Sequence, residues 1–120
     1  MFKILDFTKK NVIAFEVSGK IEKEDYDKLT PLLEKTEREY DKINLFIELN
    51  ELKGMTLQAL LEDIKTYFKN IRKIRKAAIV GRNGIDKGLT EATNFVVHAE
   101  IKYFSRKEYE SARKWVTDES

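Results

Sequence analysis

Residues 43 to 71, INLFIELNELKGMTLQALLEDIKTYFKNI, constrain the fold more than any other stretch of this chain. Ile43, Leu45, Ile47 and Leu49 alternate with Asn44, Phe46, Glu48 and Asn50. That period of two describes a strand with one face well buried and the other partly covered. After Lys53-Gly54, Thr56 is placed to cap a helix with apolar residues at Leu57, Leu60, Leu61, Ile64, Phe68 and Ile71, the spacing of one inward stripe. A strand followed by such a helix is half of a crossover unit. It predicts a parallel neighbour strand and a right-handed βαβ connection.

The chain has 120 residues, enough for one domain (1–120) with a real core and too few for a second. It contains no cysteine, so disulfides and thiolate chemistry are absent and a reducing cytoplasm is permitted. No apolar run approaches the ~20 residues of a spanning helix, and Met1 to Lys10 lacks the apolar core of a secretion signal. The expected location is the cytoplasm. Lys and Arg number 23 against 21 Asp and Glu, a near balance that argues against a nucleic-acid-binding surface. With one proline, five glycines and no repeat, the chain reads as ordered throughout.

Before the central stretch, Phe2 to Phe7 and Val12 to Gly19 read as strands joined by the polar turn Thr8 to Asn11. Glu22, Glu24, Asp25 and Asp27 then concentrate negative charge where a helix N-terminus favours it, which accounts for them without a catalytic or metal role. The helix buries Tyr26, Leu29, Leu33, Thr36 and Tyr40. Pro31 within it predicts a kink near Asp27 to Thr30, or a short lead-in helix that restarts at Pro31.

After the central stretch come Lys69, Arg72, Lys73, Arg75 and Lys76, the densest charge feature of the chain. They first suit a solvated helix C-terminus, with an anion patch for a phosphorylated ligand, a lipid headgroup or an acidic partner as the functional alternative. No aromatic residues are interleaved with them, which weighs against single-stranded nucleic acid. Ala77 to Gly81 is a short buried strand. Gly81-Arg82-Asn83-Gly84 lacks the further residues of a dinucleotide fingerprint or P-loop and reads as a plain turn. Ile85, Leu89, Ala92 and Phe95 or Val96 outline a third helix, weakened by Gly88. Glu100 to Phe104 forms the last strand. Ser105 and Glu108 have capping-box spacing, and Tyr109, Ala112, Trp115 and Val116 line the inward face of a closing helix.

The order is β β α β α β α β α: a hairpin, three crossovers and a closing helix in an α/β domain with a five-stranded mixed sheet. Because Ile43 to Leu49 and Glu100 to Phe104 alternate, helices are expected mainly on one face. The other face would then present Asn44, Phe46, Glu48, Lys102 and Phe104, a candidate for partial cover or for self-association as a homodimer.

SGKIEKEDYDKL (Ser18 to Leu29), LFIEL with its Leu-Lys-Gly turn, ALLEDIK (Ala59 to Lys65), AAIVG, AEIKYF (Ala99 to Phe104) and SARKWV (Ser111 to Val116) occur in this order. Together they resemble the small bacterial STAS-like proteins related to stage II sporulation protein AA, the anti-sigma-factor antagonist. The likeness spans nearly the whole chain and rests on fold and core motifs. It implies a (βα)n superhelix with the sheet in near-sequential order, and a non-enzymatic regulatory role. In true antagonists a serine or threonine at the start of the helix after the central strand is phosphorylated by a partner kinase. The matching position is Thr56. The antagonists' Asp-Ser-Ser/Thr-Gly turn is replaced by Asn50 to Thr56, NELKGMT, and a threonine there is also an ordinary helix cap.

Residue types leave little room for an enzyme. His98 is the single histidine, and no serine lies in a nucleophile motif, so triads and His or Cys metal sites lack their ligands. Carboxylate-only chemistry stays open on spacing. The leading expectation is a protein-interaction module without cofactor or metal, binding through Asn50, Lys53, Gly54, Thr56 and Gln58. The alternative is a small-molecule or lipid binder of the same fold class. No membrane span is expected, and peripheral lipid contact stays open.

Overall fold

The structure is a computed structural model that describes residues 1–68, 71–81 and 99–118. Its elements are β1 (Phe2–Ile4), β2 (Val12–Gly19), α1 (Lys23–Glu39), β3 (Ile43–Leu52), α2 (Leu57–Phe68), β4 (Ile74–Gly81) and β5 (Glu100–Ser105). A 3-10 turn at Arg106–Glu108 leads into α3 (Tyr109–Thr117). The expected third helix from Ile85 to Val96, the Arg82-Asn83-Gly84 turn, His98 and Lys69 lie outside the described residues.

The five strands stand in the order β1-β2-β3-β4-β5. Only β1 runs antiparallel to its neighbour; β2, β3, β4 and β5 are mutually parallel. This is the mixed, sequentially ordered sheet expected. Strand β1 is shorter than its apolar run, because Thr8 ties the turn to β2. Its hydroxyl donates to the Ala14 carbonyl at 2.8 Å and accepts the Ala14 N–H at 2.8 Å. Phe7, beyond the strand end, is buried on the sheet face opposite Phe2.

Period-two alternation splits the core into two layers. Phe15, Val17, Leu45, Ile47, Leu49, Ala77 and Ile79 join Leu29 and Leu33 of α1 and Leu60, Ile64 and Phe68 of α2. On the other face Val12, Ala14, Phe46, Ala78 and Val80 pack with Phe7 and with Ala112 and Val116 of α3. The two longer helices thus share one face.

Of the two expectations for the second face, cover holds at its centre and an open surface for self-association there is corrected. Phe46 is 0% exposed and Asn44 6% exposed. Phe7 meets Phe46 edge-on with centroids 4.9 Å apart, Tyr109 does so at 5.2 Å, and the Asn44 amide donates to the Val116 carbonyl at 2.7 Å. Ala14, Ala78 and Ala112 are small enough for α3 to approach the sheet closely. The homodimer surface expected at Phe46 is therefore already occupied by the chain's own closing helix.

Helix α1 continues through Pro31 with no restart. Pro31 has no N–H, so the carbonyl of Asp27 has no helical donor. Two of the acids at the helix start hold the fold together. Glu22 and Asp25 form a capping box, and the Asp25 carboxylate accepts the N–H groups of Glu22 at 2.8 Å and Phe2 at 3.2 Å. Burial raises the Asp25 pKa, but these two hydrogen bonds, with the Met1 ammonium and Lys28, bring it below its ordinary value.

Candidate functional site

The connection from β3 to α2 carries most of the residues singled out by sequence. Strand β3 runs on to Leu52, so the loop proper is Lys53 to Thr56. The Lys53 N–H donates to the Gly19 carbonyl at 3.0 Å, which fastens the loop to the end of β2. Gly54 has φ +79°, a left-handed conformation that side chains disfavour, and the space where a Cβ would project is empty. Conformation, rather than crowding, is what calls for glycine at this position.

Thr56 is exposed, and its hydroxyl accepts the Ala59 N–H at 3.1 Å, so it is the cap of α2. Lys53, Gly54 and Gln58 are exposed around it. The first turn of α2 contains no acid. The positive end of the helix dipole is consequently not neutralised by a carboxylate of its own first turn.

Asn50 does not join this group. It lies within β3, and its side-chain oxygen accepts a hydrogen bond from the Arg106 guanidinium in the 3-10 turn. Beside it, Glu48 stands opposite Glu16 across the β2–β3 pairing. Burial first, and then Glu16, hold the Glu48 carboxyl above its ordinary pKa, against the hydrogen bond from Asn50 and the charges of Arg106 and Lys3. Arg106, Glu48 and Glu16 were not picked out as site residues. For Glu16 and Glu48, charged residues within otherwise apolar strands were the available signal.

The basic stretch is dispersed. The Lys73 ammonium donates to the Glu37 carbonyl in the last turn of α1. The Lys76 ammonium donates to the Trp115 carbonyl in the last turn of α3 at 3.2 Å, and lies 5.1 Å from the Trp115 ring centre, with Lys102 at 4.9 Å. Arg75 bonds the Arg72 carbonyl at 2.6 Å, and both arginines are exposed. Lys73 and Lys76 thus complement the negative ends of two helices, and the structure does not gather the described cations into one cradle. Trp115, half-buried, packs on Phe104.

Among the described residues no three His, Cys, Asp or Glu side chains converge as metal ligands, and no helix is long and apolar enough to cross a membrane.

A mixed, sequentially ordered five-stranded sheet, with a helix after its central strand whose first turn is capped by Thr56 and free of acids, places the molecule in a recognisable class. The SpoIIAA-like family model matches residues 12–117, and the chain belongs to that family. Among solved structures it is similar to an uncharacterized DUF3478-family protein with a SpoIIAA-like fold from Shewanella loihica PV-4. The two share 26% identity at a TM-score of 0.64, over 97% of this chain and 92% of that one. No curated protein matches the sequence.

Proposed function

We propose that this protein is a non-enzymatic SpoIIAA-like regulatory module that binds a protein partner through the loop Lys53 to Thr56 and the first turn of α2. The observation that carries the reading is the exposed Thr56 hydroxyl capping a helix start without acids. A surface of this kind binds one partner while the hydroxyl is free, and changes its affinity once a phosphate adds nearly two negative charges at the helix dipole. Thr56 is the residue on which such a switch acts. Lys53 and Gln58 form the adjoining contact surface, and Gly54 holds the turn.

The test uses a photo-crosslinker at Gln58 to capture the partner in host cells, followed by affinity measurement with purified protein. Thr56→Ala should preserve the complex and Thr56→Glu should shift its affinity by about tenfold, the size of one charge-assisted contact. Equal affinity of wild type, Thr56→Ala and Thr56→Glu for the captured partner would overturn the switch. Failure to crosslink at Gln58, with capture through a different face, would overturn the surface.

A further inference from the structure

On the same side of the sheet as α2, but away from Thr56, the beginning of α1 and the second half of α2 line an open cleft of about 500 Å³. This lies within the usual range for a small-molecule site. Ile21, Tyr26 and Tyr67 supply its apolar and aromatic surface, Thr66 a hydroxyl, and Glu22, Asp27, Asp63 and Lys23 its charged rim. The tyrosine rings are 5.2 Å apart, inclined at 42°. Tyr67 is held in place by its hydroxyl, 2.6 Å from the Thr30 hydroxyl and donating to the Tyr26 carbonyl at 3.3 Å.

The rim carries three carboxylates against one ammonium. Glu22 is paired with Lys20 at 3.6 Å, whereas Asp27 and Asp63 have no ion pair among the described residues. Burial keeps both phenols protonated well above neutral pH, with the charges of Asp63 and Asp25 adding to it at Tyr26 and those of Asp27 and Glu34 at Tyr67. Both rings therefore stay neutral, and the rim carboxylates supply the negative charge of the cleft. The Tyr26 hydroxyl is buried without a hydrogen-bond partner, and Pro31 leaves the Asp27 carbonyl without a helical donor.

We infer that this cleft binds a free small organic cation, an ammonium group on a compact apolar body, with the charge held by Asp27 and Asp63 and the body against Tyr26 and Tyr67. Aromatic faces attract ammonium ions, and an unpaired acidic rim repels phosphates and carboxylates. A cleft that bound by shape alone would accept a neutral ligand equally well. The site is separate from the proposed partner surface and does not depend on it.

The experiment is an NMR titration of the full chain with choline, phenethylamine, acetate and 3,3-dimethyl-1-butanol, the uncharged carbon isostere of choline. Saturable shifts of the Tyr26 and Tyr67 ring signals are expected with the two ammonium probes and not with the others. Asp63→Asn should weaken binding about fivefold, in keeping with a partly exposed ion pair. Tyr67→Leu should weaken it roughly tenfold, while Tyr67→Phe, which keeps the ring, should retain it. Should Tyr67→Leu fail to fold, Asp63→Asn and Asp27→Asn carry the decision, since both sites lie on the solvent rim. Equal binding of the isostere, preference for acetate, no saturable binding of either ammonium probe, or full affinity in the double Asp27→Asn, Asp63→Asn variant would each overturn the assignment.

Discussion

The two long helices begin in opposite ways. Helix α1 starts within its own carboxylates: Glu22 and Asp25 close a capping box, Glu24 joins them, and Asp25, 8% exposed, also takes a hydrogen bond from Phe2. Helix α2 starts under a single neutral hydroxyl at Thr56, exposed and followed by a turn without acids. Both solve the same problem, the unpaired N–H groups of a first turn. The first solution uses up the local positive potential for stability, and the second leaves it available. A regulatory charge added at Thr56 meets an attractive field. One added near Glu22 would meet repulsion.

The largest expected effect is at the saturated start. Asp25→Asn keeps the shape but removes the charge that accepts two backbone N–H groups, and should lower stability in chemical denaturation by about 2–3 kcal/mol, the usual cost of losing hydrogen bonds to a charged group. A loss under about 0.5 kcal/mol, within the range of ordinary surface substitutions, would put both helix starts on an equal footing. The pH dependence follows from the sign of the shift. The folded Asp25 pKa lies below its unfolded value, so its contribution is complete above the unfolded value of about 4 and is lost as pH falls through the folded one. Acid denaturation curves should accordingly fall less steeply below about pH 4 in Asp25→Asn than in wild type.

At the other start, Thr56→Ala should cost about 1 kcal/mol, the typical value of one hydroxyl cap, measured by the same denaturation experiment. Smallest of all, Gln58→Glu places an acid in the empty first turn and should stabilise the fold by about 0.5 kcal/mol at low salt, an increment that fades as salt is added. Destabilisation by Gln58→Glu would mean that the turn's positive potential is already compensated. That result would remove the basis for a phosphate at Thr56.

Much of this organisation is legible in the chain. The alternation from Ile43 to Leu49, the stripe of α2 and the Gly54-to-Thr56 turn locate the central strand, the helix and its cap directly, because each depends on neighbours within a few residues. Other features were not. Asn50 closes the strand alternation and also reads as part of the binding loop with Lys53, yet its side chain is engaged by Arg106, 56 residues further on. Lys73 and Lys76 read as one patch with Arg72 and Arg75, although the first reaches α1 and the second α3. The cleft between Tyr26 and Tyr67 leaves no local signature, since its walls are assembled from two helices separated by a strand.

The contrast is sharpest at the second sheet face. Ala112 and Val116 identify the buried stripe of the closing helix from spacing alone, and Phe46 is marked by parity as belonging to the opposite side from Ile47. Sequence by itself determined the described strands and helices, their inward stripes and the cap at Thr56, all of which are set by short-range periodicity and local hydrogen bonding. Only the tertiary structure decided that α3 would lie over Phe46, seated among Ala14 and Ala78 with Asn44 bound to its last turn. An amphipathic stripe specifies that a helix must bury one side, whereas close packing between distant residues selects the surface it covers.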